Sequence, residues 1–337
     1  MAARHGEIAF AILADMLGDP RFAEADVTSE REVIRDEILM YRDQPAQVAE
    51  DLLGELLWVG HPLGRPLAGR FDSLDRIGRN ELFRFKKRGY VPRATVVALA
   101  GRIRPESWIR RVERSWSSLG SGPGLASAPI DDQVVQQRVG LAVREVEQTH
   151  LALGFRLFGR DDPRRFALKV LSVVLGENMS SRLFQVIRER HGLAYAIQSA
   201  VSHFSDTGSF VITAGVEPAD LRRTLGLILR ELRKMADQPV GCRELRRAQD
   251  YLTGQIRLGL ESSGRRMNWA GETVMSYGRI VTPEAVIDRL EQVTPEAVQS
   301  VARDCLRPAR ASLAVVGPGL AEPLRGELDE RLAVGLG

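Results

Sequence analysis

Cysteine is almost absent. The 337 residues hold two, Cys242 and Cys305, and neither has a partner at a metal-like spacing. That excludes a disulfide scaffold and a cysteine-rich zinc module. Aromatic residues make up only 6% of the chain, and no basic run is interleaved with them. Lysine and arginine together number 47 against 44 acids, and no block of like charge occurs. Nucleic-acid binding is therefore not expected. No uninterrupted apolar run is long enough to span a bilayer, so no membrane association is expected. The opening stretch MAARHGEIAFAILADMLGDP lacks the build of a signal peptide, because Glu7 and Asp15 interrupt an amphipathic pattern. As it stands the sequence points to the cytoplasm, or to the periplasm if a signal peptide lies upstream of Met1. What is present is ordinary globular material, 44% apolar and 27% charged, enough for two domains.

Hydrophobic periodicity and breakers predict helices over 4–17, 28–42, 47–58, 80–88 and 105–115, with a short one near Ser73 and a buried strand over 94–100. The Gly-, Ser- and Pro-rich LGSGPGLASA (119–128) reads as a linker. After it come strands at 138–143 and 149–157, helices at 163–175 and 180–190, and a strand pair at 193–203 and 208–216. Helices at 218–236, 242–260, 262–277, 283–291 and 295–304 and a strand at 311–316 complete the chain.

A long-range repeat runs through this order. IGRNELFRFKKRGYVPRATVVALAG (77–101) and VTPEAVQSVARDCLRPARASLAVVG (293–317) share a helix, a Pro and a strand closing on Gly; Pro92 and Pro308, like Gly101 and Gly317, are 216 apart. The second copy begins near Val134, so the same offset places the start of the first copy before Met1. The expected organisation is an incomplete first domain over 1–118, a linker over 119–133 and a second domain over 134–337.

The helix TSEREVIRDEILMY (28–41), capped by Thr28 or Ser29, carries an anomaly. Arg31, Glu32, Arg35, Asp36, Arg42 and Asp43 fall on one side and Val33, Ile34, Ile38, Met40 and Tyr41 on the other, yet Glu30 and Glu37 stand seven residues apart within the apolar stripe. Buried carboxylates need a cation, which could be an arginine or a metal, unless the stripe borders a crevice.

Taken together, SEREVIRDEILMY with AEDLLGELLWVGHPLGRPLAG, YVPRATVVALAG, ENMSSRLFQVIRERHGLAYAI (177–197) and the C-terminal PEAVQSVARDCLRPARASLAVVG resemble the pitrilysin/insulinase zinc metallopeptidases, particularly their bacterial, mitochondrial-processing-peptidase-like branch. The resemblance implies an α+β fold of two homologous domains, each a mostly antiparallel sheet covered by helices in an α/β sandwich, the first of them incomplete here. It implies peptide-bond hydrolysis by a zinc ion held by H-x-x-E-H and a more distant glutamate. On that match Glu37 is the distal zinc ligand and Glu30 a neighbouring carboxylate that orients a ligand histidine. Arg188 and Tyr195, in RERHGLAY, match the pair that contacts substrate backbone or transition-state oxygen. On residue type alone they would be a helix-terminal arginine and a strand tyrosine.

The departure from the family pattern is large. The histidines are His5, His61, His150, His191 and His203, no two of them four apart, so no H-x-x-E-H occurs and the general base is absent. The zinc site is thus expected to be incomplete in this chain. Two functions follow: a zinc metalloendopeptidase represented without its H-x-x-E-H segment, or a non-catalytic partner that supplies the Arg/Tyr half to a zinc-bearing relative. The expected partners are a peptide substrate and a family member, in a homo- or heterodimer.

Overall fold

The computed structural model describes residues 5–116, 119–130 and 138–337. The expected boundary at 118, the end of the expected linker and the expected start of the second copy at Val134 lie outside these residues, as does the first residue of the expected helix 4–17.

Six helices occupy the first part: α1 (Gly6–Gly18), α2 (Glu24–Arg42), α3 (Pro45–Leu57), α4 (Phe71–Leu74), α5 (Arg79–Gly89) and α6 (Pro105–Ser115). The second part has β1 (Val139–Val143), β2 (Thr149–Phe158), α7 (Arg165–Leu175), a π-helix (Phe184–Arg190), β3 (Ala194–His203) and β4 (Thr207–Val216). It continues with α8 (Leu221–Asp237), α9 (Cys242–Gly259), α10 (Ser263–Tyr277), α11 (Pro283–Glu291), α12 (Pro295–Cys305), β5 (Ala311–Gly317) and α13 (Glu322–Leu336). The repeat is now visible element by element, since α1 to α6 and α8 to α13 run in the same order at nearly constant offset. The agreement is closest at α5 and α12, whose bounds are 216 apart at both ends.

Compaction does not follow the sequence halves. One compact unit comprises Met1–Ile38, Ala68–Ser127 and Ile256–Pro283; the other comprises Leu39–Leu67, Ala128–Gln255 and Glu284–Gly337. The expected division at 119–133 therefore differs from the observed one by a reciprocal exchange: α3 sits in the second unit and its counterpart α10 in the first. Small residues make room for both helices. A Cβ on Gly154 of β2 would lie 2.8 Å from the Leu53 side chain, and one on Gly140 of β1 would lie 3.1 Å from Leu52 and Leu56. In the first unit a Cβ on Gly271 of α10 would stand 3.2 Å from Ala98.

The second unit is built on a five-stranded sheet of order β1-β5-β2-β4-β3, in which β1 and β5 are parallel and every other pairing is antiparallel. Alternation along β2 sorts the two faces. Leu151, Leu153, Phe155 and Leu157 are buried on one face, where Phe155 stacks on Phe210 of β4. On the other face α3 packs Ala49, Leu53, Leu56 and Leu57 against Ala152, Ala314 and Val316. This helix covers β1, β5 and β2, while outward residues of β3 such as Gln198, Ala200 and Ser202 stay exposed.

In the first unit, aromatic contacts tie α1 to α6: Phe10 lies edge-on to Trp108 at 5.7 Å and to Trp116 at 5.5 Å. The expected buried strand at 94–100 is not realised. Residues 95–100 pair with no other strand among the described residues, and Val96, Val97 and Leu99 are exposed. The apolar run is there, but a strand is buried only where neighbours flank it. Among the described residues no helix is long and apolar enough to cross a membrane.

Candidate functional site

The stretch 177–197 of the sequence leads into β3, an edge strand of the sheet. The predicted helix at 180–190 forms as a π-helix over Phe184–Arg190. Such turns are rare and recur at functional sites. Arg182, just before it, is held by a two-pronged pair with Glu244 of α9 at 2.8 and 2.6 Å, and Glu244 holds the guanidinium pKa above its ordinary value. Gly192 follows with φ of 61°, in the left-handed region, which turns the chain into β3.

At the start of β3, Ala194 pairs with Val216 and Ile197 with Ala214, so three steps on β3 face two on β4. This is a β-bulge. It leaves both Tyr195 and Ala196 pointing outward between buried Ala194 and Ile197, and Tyr195 is 79% exposed. The guanidinium carbon of Arg188 lies 4.9 Å from the centroid of the Tyr195 ring and 4.8 Å from that of Phe184. Both contacts are within cation–π range. The structure thus brings together the two residues singled out in RERHGLAY. The rings fix the guanidinium by its face and leave its in-plane N–H donors available.

Tyr195 also borders a crevice of about 300 Å³ between the open sheet face and α3, lined by Glu50, Gln148, His150, Gln198 and Thr213 among others. A narrower extension of about 170 Å³ shares Glu50, Gln198 and Thr213 and runs on along Trp58, Ser202, Ser209 and Val211. Partial burial lowers the pKa of His150, so the ring is neutral at neutral pH. Shielding by the crevice wall, and then the charge of Asp51, raise Glu50. The lining offers amide and hydroxyl groups able to donate and accept, the chemistry that suits an extended backbone. Sequence reasoning missed Glu50, Gln148, His150 and Gln198, since their convergence depends on α3 crossing onto a sheet formed by much later residues.

The acids on α2 are placed otherwise than expected. Helix α2 starts at Glu24, not at a Thr28 or Ser29 cap; Thr28 Oγ1 instead donates to the Glu24 carbonyl at 2.9 Å. Its buried side is narrow and centres on Ile38. Glu30 and Glu37 are exposed, and so are Val33 at 48% and Met40 at 49%. Ile38 is thus the buried edge of the stripe, while the part that carries the two acids faces solvent. The charged side is engaged, with Arg35 at 2.6 Å from Asp75 and Arg31 donating to the Ile77 carbonyl. Among the described residues no three His, Cys, Asp or Glu side chains converge as a metal site would require. The residues present do not fit a zinc site on their own.

Other features are structural. His61 Nδ1 accepts from the Leu63 N–H at 3.1 Å, leaving Nε2 to donate to the Ala128 carbonyl at 3.1 Å, so the ring braces a turn. A concavity of about 750 Å³ near α12 contains Arg164, Asp162, Asp304, Cys305 and Arg307, but its charges compensate one another: Arg164 pairs with Asp162 and Asp304, and Arg307 with Asp304.

Comparison with known proteins matches residues 2–70 to the insulinase (peptidase family M16) model and residues 76–252 to the peptidase M16 inactive domain. An uncharacterized zinc protease of Streptomyces coelicolor is 35% identical over 317 residues, covering 92% of this chain and 69% of the relative. An uncharacterized zinc protease of Bacillus subtilis is 31% identical over 317 residues, covering 93% and 76%. Among solved structures, a peptidase M16 inactive domain from Pseudomonas fluorescens superposes with a TM-score of 0.87 at 21% identity, over 95% of this chain and 77% of that one. A Helicobacter pylori protease superposes with a TM-score of 0.84 at 18% identity, over 94% and 78%. With family models matched over 2–70 and 76–252 and relatives up to 35% identical, one of them covered to 69% of its length, the chain belongs to the insulinase family of peptidases, M16.

Proposed function

We propose that this chain is the substrate-holding part of an M16 zinc metalloendopeptidase and that it lacks, in the residues given, the H-x-x-E-H segment that would complete the metal and base. The observation that carries this reading is the pairing of Arg188 with Tyr195, which itself lines the crevice beside Glu50, Gln148, His150 and Gln198. An extended peptide laid across the rim would meet a fixed guanidinium, a phenol hydroxyl and the amide side chains of Gln148 and Gln198. Arg188 and Tyr195 would donate to backbone carbonyls and, in the assembled enzyme, to the oxygen that gains charge as the peptide bond is attacked. Glu37 would serve as a zinc ligand, with Glu30 beside it, only when histidine ligands are brought to α2; the chain by itself supplies no such group.

A second reading, a non-catalytic partner in a heterodimer with a zinc-bearing relative, is favoured by one observation: the chain sets Arg188 against Tyr195 while no two of its histidines stand four apart. Metal analysis and peptide binding on the purified full chain test the proposal. The expected result is zinc far below one per chain, no hydrolysis of a quenched fluorescent peptide library, and measurable binding of extended peptides that weakens about tenfold in Arg188→Ala, a loss of about 1.4 kcal/mol. Stoichiometric zinc with turnover by the chain alone would overturn the incomplete site. Unchanged peptide affinity in Arg188→Ala would overturn the substrate-holding role.

A further inference from the structure

Arg188 and Tyr195 meet across a segment that is irregular twice over. The π-helix over Phe184–Arg190 and the β-bulge at Tyr195 and Ala196 each depart by one residue from the regular pattern. The Arg188 guanidinium carbon nonetheless lies 4.9 Å from the Tyr195 ring centroid and 4.8 Å from that of Phe184. One residue more or less in the helix would turn Arg188 by about 100° about the axis and carry it away from Tyr195. The helix must therefore be fixed at both ends.

The backbone fixes the C-terminal end. Gly192 N–H donates to the Arg188 carbonyl and Leu193 N–H to the Ile187 carbonyl, both at 3.0 Å, with Gly192 in the left-handed region. Packing fixes the inner face, where Leu183 and Ile187 are fully buried. At the N-terminal end the anchor is a side chain. Arg182 opens the helix, and its Nε and Nη2 donate to Oε1 and Oε2 of Glu244 at 2.8 and 2.6 Å. The two side chains are only 22% and 24% exposed, so water screens this pair far less than a surface bridge. A cation in the first turn opposes the dipole of its own helix, whereas Glu244 lies in the first turn of α9, where a carboxylate is favoured. Arg182 is thus placed for Glu244 and not for its own helix. Glu231 of α8, buried and paired with Lys234 at 2.6 Å, adds a second charge that favours the Arg182 guanidinium.

We infer that Glu244 is a positioning residue: through Arg182 it sets the helical phase that lays Arg188 over Tyr195. Neither Glu244 nor Arg182 lines the crevice beside Tyr195, so the pair reaches a bound peptide only through Arg188. The effect on peptide binding rests on the substrate-holding reading above; the placement of Arg188 does not.

Nuclear magnetic resonance on the full chain with isotope-labelled arginine, beside peptide binding, tests both. The Arg188 side-chain resonance, identified by its loss in Arg188→Ala, should lie upfield because two ring faces shield it. In Glu244→Gln it should move to the position of solvent-exposed arginines while circular dichroism is unchanged. Affinity for fluorescein-labelled extended peptides should fall about tenfold in Glu244→Gln, as in Arg188→Ala. Added to Arg188→Ala, Glu244→Gln should change affinity by less than about twofold, since a residue that acts only through another adds nothing once the other is gone. The exchange of Arg182→Glu with Glu244→Arg should restore both resonance and affinity. A resonance and an affinity both unmoved in Glu244→Gln would overturn the inference, as would an equal loss of affinity with and without Arg188. A moved resonance with affinity unchanged in both single variants would uphold the placement and overturn the substrate-holding reading instead. Should Glu244→Gln not fold, Glu244→Asp, one methylene shorter, is read in the same way.

Discussion

Arg188 is the residue on which the functional reading turns. Its side chain is 37% exposed and is held by two rings, with the nearest carboxylate, Glu189, 3.9 Å away. At this distance and exposure that ion pair contributes little. In an assembled, zinc-bearing enzyme, Arg188→Ala is expected to lower kcat by about 100-fold or more, the usual effect of removing one transition-state donor, while the urea midpoint moves little because the side chain supports no core. Steady-state kinetics beside an unfolding curve checks both halves. The cysteines make a second residue-scale prediction. Burial raises the Cys305 thiol to about 11, whereas Cys242 is exposed. A thiol reagent at mildly alkaline pH should label one cysteine in the native protein and two in denaturant. The histidines give a pH dependence. Burial lowers both His150 and His203. Between their folded values and the ordinary value of about 6.5, the unfolded chain binds more protons than the folded one. Stability is therefore full above that window and falls as pH drops through it, so the urea midpoint should decrease as the pH is lowered below about 6.5. A flat profile would show that neither ring is desolvated.

At the scale of elements, tight apposition of helix and sheet replaces bulk burial. Gly154 lets α3 approach so closely that an added methyl meets Leu53 at 2.8 Å. Gly154→Ala should cost about 1–3 kcal/mol through overpacking, and Leu53→Ala about 2–5 kcal/mol through cavity formation; thermal melts would measure each. Gly192→Ala places a Cβ in the left-handed region at the junction of the π-helix and β3, with an expected cost of about 1–2 kcal/mol. Element-level legibility was uneven for identifiable reasons. Helices with clear apolar periodicity, α8 to α12, stand where the pattern puts them. Helix α13 has too many charges, in EPLRGELDERL, to announce itself by periodicity. The bulge at Tyr195 is invisible in GLAYAI because one extra residue changes pairing without changing composition. The run 94–100 is apolar and β-branched, as its sequence says, yet Val96, Val97 and Leu99 are exposed, because burial belongs to the neighbours and not to the segment.

For the whole molecule, the exchange of α3 and α10 has a direct consequence. The second sequence half, taken from 134 onward, lacks α3 and would expose the face of Ala152, Ala314 and Val316 together with the glycines that receive the helix. Leu53, Leu56, Leu57 and Trp58 each bury about 1.5–3 kcal/mol of apolar surface there, a total comparable with a domain's net stability of about 5–15 kcal/mol. Residues 134–337 expressed alone should melt early or aggregate, and co-expression with residues 39–67 should restore a cooperative transition by circular dichroism. A cooperative, equally stable 134–337 would show that α3 is dispensable.

The sequence by itself determined the family resemblance, the 216-residue offset of the repeat and the absence of H-x-x-E-H, because these depend on residue identity and spacing along one chain. Only the tertiary structure decided that Glu30 and Glu37 face solvent, that 95–100 pairs with no strand among the described residues, that each half receives a helix from the other, and that Glu50 and His150 converge with Tyr195. Those facts depend on which segments meet across hundreds of residues. A helical wheel can show that a stripe is apolar, but whether it is buried depends on what lies in front of it.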